Sequence, residues 1–491
     1  MGKYIISVDQ STQGTKALLF DKEGSLICRM DMPHKQIVND KGWVRHDPEE
    51  IYENVIKVVR GVLAKAEVSP AEVITIGISN QRETSVLWDK KSGISMADAV
   101  VWQCARAAEI CEDKKIKNEA DYIFRTTGLK LSPYFPAAKI SWLLENTAGA
   151  PQKAKEHQLC HGTIDSYLVF RLTKGEVYAT DYSNASRTQL FDIFNLKWDE
   201  KLCNLFGIDI ENMPKVMDSN ACFGYTDMEG LFAEPVPIHA VLGDSHGALF
   251  GQDCRKSGRA KATYGTGSSI MMNIGNKPVL SKHGLVTSLA WGMDGKVSYV
   301  LEGNLNYTGA VITWLKDDLK LIESAGDTEA LAMQAIRDDT LYLVPAFTGL
   351  GAPYWNSRAK ASIIGMDRTS KREEIVRAAL ECIAYQITDV LKAMDEDSGN
   401  RVEELRVDGG PTNNRYLMQF QSDIAGCRVM VPDQEELSGI GVAYMAGISA
   451  GIWDESIFKK MKRTEHEPQM EAEKAGQKYF GWQCAITTIN K

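Results

Sequence analysis

Residues 241–252 read VLGDSHGALFGQ. The short apolar run at 240–242 predicts a buried strand that Gly243 ends, so that the carboxylate of Asp244 lies at the strand terminus. The small apolar residues that follow predict a helix packed tightly on its neighbours. A carboxylate at a strand end is a candidate general base or metal ligand, and aspartate is also a favoured helix N-cap. Taken alone, the stretch favours the cap.

The segments on either side of this stretch share one pattern. An apolar run at 4–8 ends at Asp9, a turn follows at 10–15, and Lys16 leads a second apolar run at 17–20. Residues 260–264, 265–269 and 270–272 again predict strand, Gly/Thr/Ser turn and strand. This repeat, at about half the chain length, indicates an internal duplication. We expect two similar domains that each present a hairpin to a shared cleft, with Asp244 between the hairpins.

The hairpin turns have the composition of phosphate-binding loops. Backbone N–H groups and Ser/Thr hydroxyls at a turn with glycine can point at a phosphate, and Lys16 would add a point charge. Asp9 at its strand end could hold Mg²⁺ directly or through water. An ordinary polar hairpin tip is the alternative.

Three further segments carry candidate ligand groups. A strand at 73–78 ends in the polar cluster 79–84, where Arg82 and Glu83 could line one pocket only if the chain turns there, and a surface salt-bridging loop is the alternative. Trp102 and Tyr134 could form the apolar wall of a polar ligand site, or belong to the core. The turn 408–414 has paired glycines, which permit close approach to a flat ligand such as a purine, or simply a tight turn.

The composition excludes several classes of protein. The chain has 491 residues, enough for two large domains, with 44% hydrophobic and 25% charged residues. A net charge of −9 argues against a nucleic-acid partner. Neither a signal peptide nor an apolar run of ~18 residues is evident, so no membrane partner and a cytoplasmic location are expected. The ten cysteines are scattered, as in reduced intracellular proteins. Alternating strands and helices predict an α/β fold with ligand groups at strand ends. Asp47 and Pro48 predict the start of a helix, as cap and first-turn proline, and residues 99–102 predict a strand. The charged tail from Lys459 predicts a surface helix.

Taken together, the motifs identify a family. The sequence resembles the FGGY family of carbohydrate kinases, and within that family the glycerol kinases. The resemblance runs from DQSTQGTKALLFD through GISNQRET, DYSNASRTQLFDI, GDSHGALFGQ, TYGTGSS, LEGN and PAFTGLGAPYW to RVDGGPTNN. It implies two actin-like domains of the sugar kinase/Hsp70/actin ATPase (ribonuclease H-like) type around a cleft that closes over substrate. The first, 1–248, would hold the acceptor and the first phosphate loop, and the second, 249–491, the second phosphate loop and the adenosine.

The resemblance also assigns roles to individual residues. Asp244 would be the general base on the substrate hydroxyl, and Asp9, with Asp244, would hold the Mg²⁺ of MgATP. The ATP-binding positions would be Thr12, Gln13, Lys16, Gly265, Thr266, Gly267, Gly309, Thr313, Gly409, Gly410 and Asn414. The acceptor positions would be Arg82, Glu83, Trp102, Tyr134, Asp244, Ser245 and Ser269.

The sequence departs from the glycerol kinase pattern near the acceptor. Glycerol kinases typically carry two glutamines where this chain has Ser245 and His246, and an aromatic residue where it has Ser269. Glycerol kinases also carry a glutamine near the nucleotide, where this chain has Thr313. The first loop looks more like that of pentulose kinases. Because the pocket gains volume and hydroxyl groups, we expect a preferred acceptor longer than glycerol, a four- or five-carbon polyol or ketose. His246 could contact that acceptor, orient Asp244 or pack in the helix.

Four functions follow from the sequence. The first is an ATP-dependent kinase of a small polyol or sugar, and the second is a true glycerol kinase making glycerol 3-phosphate. The third is a xylulokinase-like pentulose kinase, and the fourth is a non-catalytic actin-fold nucleotide-binding protein. The resemblance also implies a homo-oligomer, a dimer or a tetramer.

Overall fold

The structure, a computed structural model, describes residues 3–336 and 341–490. The strands are β1 (Tyr4–Gln10), β2 (Gly14–Asp21), β3 (Leu26–Pro33), β4 (Ile37–Val38), β5 (Val44–His46), β6 (Val73–Asn80), β7 (Ser85–Asp89), β8 (Ala99–Val100), β9 (Leu159–Thr163), β10 (Ala179–Asp181), β11 (Phe191–Asp192), β12 (Lys197–Trp198), β13 (Lys215–Met217), β14 (Cys222–Thr226), β15 (Val236–Gly243), β16 (Ala260–Tyr264), β17 (Ser268–Gly275), β18 (Val286–Met293), β19 (Lys296–Leu305), β20 (Tyr342–Val344), β21 (Ser362–Ile364), β22 (Glu404–Asp408), β23 (Arg428–Pro432) and β24 (Arg463–His466).

The helices are α1 (Pro48–Ala66), α2 (Ala108–Glu112), α3 (Lys114–Asn118), α4 (Ala120–Thr127), α5 (Pro136–Asn146), α6 (Ala150–Lys155), α7 (Ile164–Leu172), α8 (Tyr182–Ala185), α9 (Glu200–Leu205), α10 (Asp244–Gly251), α11 (Gly309–Asp317), α12 (Asp327–Gln334), α13 (Arg372–Ser398), α14 (Arg415–Ala425), α15 (Leu437–Ser449) and α16 (Ala472–Ile489). Short 3₁₀ helices span Pro70–Glu72, Ile210–Asn212, Gly410–Asn413 and Glu455–Lys460.

Two large sheets repeat one topology. The first sheet has the order β14-β15-β6-β1-β2-β3, and the second has the order β18-β19-β17-β16-β22-β23-β24. In the first sheet β1, β6 and β15 are parallel, and β2 and β3 add antiparallel strands beside β1. In the second sheet β16, β22 and β23 are parallel, and β17 and β19 follow β16 in the same way. The repeat confirms the predicted internal duplication.

Local sequence explains where the main helices begin and what they bury. The carboxylate of Asp47 caps α1 by accepting from the Glu49 N–H, and Pro48 occupies the first turn, as the sequence predicts. One face of α1, from Ile51 to Leu63, is buried against β2 and β3. The long helix α13 is buried over most of its length. It begins where Glu374 accepts from the Lys371 N–H.

The helix that begins at Asp244 touches α15 through backbone atoms. A side chain on Gly441 of α15 would place its Cβ 1.8 Å from the Gly247 carbonyl oxygen. A Cβ on Gly251 would lie 2.6 Å from the Leu437 carbonyl oxygen. Only residues without a side chain permit this separation, so these glycines let α10 and α15 pack with their backbones in contact. This confirms the expectation that the helix after Asp244 packs tightly on a neighbour.

Helix α15 also joins the two halves of the chain. It lies against β1, β6 and β15 of the first sheet, although in sequence it stands between β23 and β24 of the second sheet. One buried apolar cluster therefore combines Leu18 and Leu242 of the first sheet with Ile440 and Met445 of α15. The division of the chain at 248/249 stays a prediction.

The structure corrects three details of the expected elements. Asp9 lies within β1, paired with Lys16, so the hairpin turn comprises residues 11–13 rather than 10–15. Strand β8 ends at Val100, before Trp102. The tail is more than a charged surface helix, because β24 extends the second sheet and α16 buries Trp482 completely.

The contact between α10 and α15 makes Gly441 intolerant of a side chain. We expect Gly441→Ala to lower the free energy of unfolding by about 3 kcal/mol or more, because a methyl group cannot fit beside the Gly247 carbonyl. Gly476 is the matched control, since it lies exposed in α16 with open space around its Cβ position. Gly476→Ala should raise stability by up to about 1 kcal/mol. Chemical unfolding of both variants checks this, and equal effects would contradict the close contact.

Candidate active site

Asp9, Arg82, Glu83 and Asp244 meet at the carboxyl edge of the first sheet. In the parallel register Asp9 is opposite Ser79 of β6, and Gly243 is opposite Asn80. The residues that follow β6 and β15 therefore leave the sheet beside Asp9. Ligand sites of α/β sheets form at such carboxyl ends.

The helix-cap alternative for Asp244 is wrong. Gly243 occupies the N-cap position and Asp244 is the first residue of α10, without a capping hydrogen bond. Its side chain is 32% exposed, and its Oδ1 lies 3.2 Å from Arg82 Nε in an ion pair that lacks hydrogen-bond alignment. Oδ1 also accepts from the neighbouring Ser245 N–H. The carboxylate is thus held at the cleft with an oxygen available for chemistry.

Arg82 and Glu83 both line the site because the chain turns between them. Glu83 adopts a left-handed conformation with φ of 59°, which the sequence required for both side chains to share one pocket. Arg82 is buried, and both its terminal nitrogens donate to Glu302 at 3.0 Å. Glu83 accepts from Arg187 Nε at 2.6 Å. The surface-loop alternative for this segment is therefore wrong.

An aromatic wall stands beside these charges. The rings of Trp102 and Tyr134 are in edge contact with centroids 5.6 Å apart, and both side chains are half-buried. Trp102 Nε1 donates to Thr12 Oγ1 at 2.9 Å, which ties the wall to the first hairpin tip. Half-buried rings beside buried charges suit the carbon face of a polyol.

Lys139 lies directly behind this wall. Its side chain is fully buried, and its ammonium donates to the Tyr134 carbonyl oxygen. Burial lowers the pKa of Lys139 to about 7, although Glu83 opposes the shift. The charge behind the wall therefore titrates near neutral pH.

The first hairpin places Thr12, Gln13 and Lys16 at the cleft. Gln13 is exposed and Thr12 half-buried at the tip. Lys16 Nζ lies 2.7 Å from Glu436 Oε2, immediately before α15, and Arg29 pairs with the same carboxylate. Lys16 must share or leave this partner in order to contact a phosphate.

The second hairpin is built on glycine. A Cβ on Gly267 would lie 2.3 Å from the Leu305 carbonyl oxygen, and one on Gly309 would lie 2.5 Å from the Gly265 carbonyl oxygen. The Gly309 N–H donates to that carbonyl at 2.9 Å. Helix α11 is thus seated directly on the hairpin, and Thr266 at its tip is exposed.

A cavity of about 630 Å³ opens beside this hairpin. Its lining includes Gly309, Thr313, Gly410 and Asn414. Gly410 faces open space, whereas a Cβ on Gly409 would collide with the Tyr264 carbonyl oxygen at 2.0 Å. Gly409 thus shapes the turn and Gly410 lines the cavity.

Asn414 has a structural task beside its place in the cavity wall. Its Oδ1 caps α14 by accepting from the Leu417 N–H, and its Nδ2 donates to Thr328. The sequence signal for α14, an asparagine before an apolar run, is a helix-cap signal as much as a ligand signal.

Three residues mark the departures noted in the sequence. Ser245 Oγ accepts from Arg82 Nη2 at 3.2 Å, and Ser269 Oγ lies 3.5 Å from Glu302 Oε1. Both serines thus lie beside the charged groups. His246 is fully buried, and neither ring nitrogen has a hydrogen-bond partner among residues 3–336 and 341–490. Burial, with Arg82 nearby, holds the pKa of His246 well below its usual value, so it packs as a neutral ring.

The sequence interpretation missed Glu302 and Arg187. Both lie in motifs that were recognised, LEGN and DYSNASRT, but nothing local marks them as site residues. Their partners are 220 and 104 residues away in the chain. Only the fold brings these charges together.

Comparison with known proteins identifies relatives along the whole chain. Residues 4–251 match the FGGY family of carbohydrate kinases, N-terminal domain, and residues 260–450 match its C-terminal domain. The chain is 46% identical to a glycerol kinase of Caldanaerobacter subterraneus, over 100% of this chain and 99% of that one. It is also 46% identical to glycerol kinase 1 of Thermotoga maritima, over 99% of each chain.

Solved structures agree in fold. Plasmodium falciparum glycerol kinase, crystallised with ADP, superposes with a TM-score of 0.94 at 34% identity, covering 99% of this chain and 98% of that one. Gluconate kinase from Lactobacillus acidophilus gives 0.88 at 21% identity with the same coverage, and shows the fold alone. These matches confirm the predicted two-domain sugar kinase fold. Among the described residues, no helix has the length and apolar character needed to cross a membrane.

The buried Lys139 predicts a pH dependence of stability. Its pKa is lowered in the folded protein, so the unfolded chain binds more protons between pH 7 and 10.5, and stability attributable to Lys139 rises with pH in that window. The free energy of unfolding, relative to Lys139→Met, should rise by about 2 kcal/mol from pH 7 to 9. Denaturant unfolding measures this. The exposed Lys91→Met should run parallel to wild type, and a parallel Lys139→Met curve would contradict the shift.

Proposed function

This chain belongs to the FGGY family of carbohydrate kinases, and we propose that it transfers the γ-phosphate of MgATP to a hydroxyl of a small polyol. The observation that carries the proposal is the placement of Asp244. Its partly exposed carboxylate stands at the carboxyl edge of the first sheet, in an ion pair with the buried Arg82. Phosphoryl transfer needs such positioning more than covalent chemistry.

Asp244 is the proposed general base. An acceptor hydroxyl held by Arg82 and Glu83 would give its proton to the Asp244 carboxylate as it attacks the γ-phosphorus, and the bond from that phosphorus to the bridging oxygen would break, releasing ADP. Arg82 is paired with Glu302, which would hold the guanidinium in place through the reaction. A non-catalytic nucleotide-binding protein would have no need of a partly exposed carboxylate at this sheet edge. The position of Asp244 therefore argues against the non-catalytic alternative.

The phosphates are proposed to lie between the hairpin tips, near Thr12, Gln13 and Lys16 on one side and 265–267 on the other. The cavity beside the second hairpin has a volume suited to a nucleoside. Gly410 lines this cavity and has no side chain that would extend into it. The relative of known structure was crystallised with ADP, which supports nucleotide binding here. Thr313 lies on the same wall.

Magnesium fits the carboxylates of the site. Asp9 is buried and its Oδ1 has no hydrogen-bond partner among the described residues, as expected of an oxygen reserved for a ligand. The described residues contain no cluster of three or more metal-ligating side chains, and Mg²⁺ is commonly held by one or two carboxylates together with phosphates. Asp9, with Asp244, would hold the ion, which supplies neutralising charge to the phosphates.

The acceptor is proposed to be longer than glycerol, a four- or five-carbon polyol or ketose. Arg82, Glu83, Trp102 and Tyr134 form one end of a polyol site. Ser245 and Ser269 place short side chains with hydroxyl groups beside Arg82 and Glu302. Hydroxyls of this kind can pair with additional substrate hydroxyls.

Glycerol is the second candidate acceptor. The 46% identity to glycerol kinases over the whole chain favours it. A homo-oligomeric state and a cytoplasmic location stay predictions from the sequence.

Replacement of the base tests the mechanism. We expect Asp244→Asn to lower turnover roughly 10²–10⁴-fold, because the acceptor hydroxyl loses its proton acceptor. Binding of MgATP, measured by calorimetry, should stay close to that of wild type. Asp294→Asn, an exposed aspartate in the turn after β18, is the control and should keep full turnover. Turnover of Asp244→Asn within a few fold of wild type would exclude the proposed base.

Acceptor kinetics test the substrate. ADP release should give a higher kcat/KM for erythritol, a pentitol, D-xylulose or D-ribulose than for glycerol. The variant Ser269→Phe fills the pocket, so it should lower kcat/KM for the longer acceptors by about tenfold or more and spare glycerol. If wild type prefers glycerol by tenfold, the protein is a glycerol kinase.

A further inference from the structure

Glu302 is a fully buried carboxylate at the centre of the site. It lies on β19 of the second sheet. Its two oxygens accept from both terminal nitrogens of Arg82 at 3.0 Å, and Oε2 also accepts from Arg187 Nη1 at 2.7 Å. Paired contacts between a planar guanidinium and a carboxylate fix the orientation of both groups.

The two arginines come from the other half of the chain. Arg82 follows β6 of the first sheet, and Arg187 follows α8. Each reaches an acceptor-site carboxylate with its remaining nitrogens: Arg82 Nε lies 3.2 Å from Asp244, and Arg187 Nε donates to Glu83. Glu302 is thus connected to Asp244 through Arg82 and to Glu83 through Arg187.

The charges require this arrangement. Arg82, Arg187 and Glu302 are all almost fully buried, and buried ions are retained only when paired. Burial opposes the charge of Glu302, but Arg187 and Arg82 outweigh it and hold the pKa of this carboxyl well below its usual range. Without Glu302, the buried guanidinium groups of Arg82 and Arg187 would lie close together with no shared carboxylate to balance their charges.

Smaller contacts fix the position of Glu302 within the second sheet. Asn304 Nδ2 donates to Oε1 at 3.2 Å, and Ser269 lies opposite Asn304 in the antiparallel register. The carboxylate is therefore supported by its own sheet on one side and by the arginines on the other.

We propose that Glu302 is a positioning residue for the acceptor, which holds Arg82 and Arg187 in place from the opposite sheet so that the acceptor site is assembled across both halves of the molecule. The assignment rests on the proposed function in one respect, namely that Arg82 and Glu83 contact the acceptor. The loss of Glu302 should not affect nucleotide binding, because neither arginine lines the proposed nucleotide cavity.

The test is Glu302→Gln, which keeps the shape of the side chain and removes its charge. With the best wild-type acceptor, kcat/KM for the acceptor should fall by roughly 100-fold or more, as when one partner of a buried charge pair is removed. The Kd for ATP should stay within about threefold of wild type. Glu404→Gln is the matched control, since Glu404 pairs with Arg406 at 2.6 Å on β22 of the same sheet, and should change neither constant.

A second variant and a second measurement complete the test. If Glu302→Gln does not fold, Glu302→Asp, which keeps the charge on a shorter side chain, should still raise the acceptor KM more than the ATP KM. Amide exchange of the ligand-free proteins should quicken at 80–84 and 186–189 in the Glu302 variant and not in Glu404→Gln.

Two results would overturn the proposal: an acceptor kcat/KM that stays within about threefold of wild type, or equal losses for acceptor and ATP. If wild type phosphorylates no polyol, the proposed function fails, and amide exchange alone decides whether Glu302 holds the two arginine segments.

Discussion

The backbone contact between α10 and α15 sets the geometry of the sheet edge at which Asp244 lies. Asp244 is the first residue of α10, so its position follows from where that helix can lie. The glycines at 247, 251 and 441 let the helix settle against α15 with no side chain between them. Helix α15 in turn lies on the parallel strands whose carboxyl ends carry Asp9 and the segment 79–84. A close approach of two helices therefore fixes a carboxylate relative to a sheet.

Charge pairing then organises the groups around that carboxylate. Burying ions is costly, and the site offsets the cost by giving each buried charge a partner of opposite sign. Glu83, Arg187, Glu302 and Arg82 form a chain that ends at Asp244. Ser245 and Ser269 lie at the edge of this series of ion pairs. The charged centre is thus suited to holding hydroxyls in general, and under the proposed function Ser245 and Ser269 would set how long an acceptor can be.

Local patterns in the sequence predicted much of this fold. The two hairpins, the cap at Asp47 and the tight helix after Asp244 each depend on residues close together in the chain, where strand alternation, capping and glycine content are informative. The pairs Arg82–Glu302 and Lys16–Glu436 join residues 220 and 420 positions apart. The hydrophobic periodicity of a sequence cannot predict ion pairs between residues so far apart. The strand β24 was missed for a related reason, since an edge strand forms because a sheet is there to receive it.

The apolar cluster shared between the first sheet and α15 has a consequence for how the protein is made. On the ribosome, the first sheet is complete once β15 has emerged, yet the apolar cluster that includes Leu18 and Leu242 is completed by residues 437–461, which are synthesised much later. Throughout that interval the nascent chain presents an open apolar surface. Truncated products that end before α15 are therefore expected to aggregate or be degraded, because their apolar face stays uncovered.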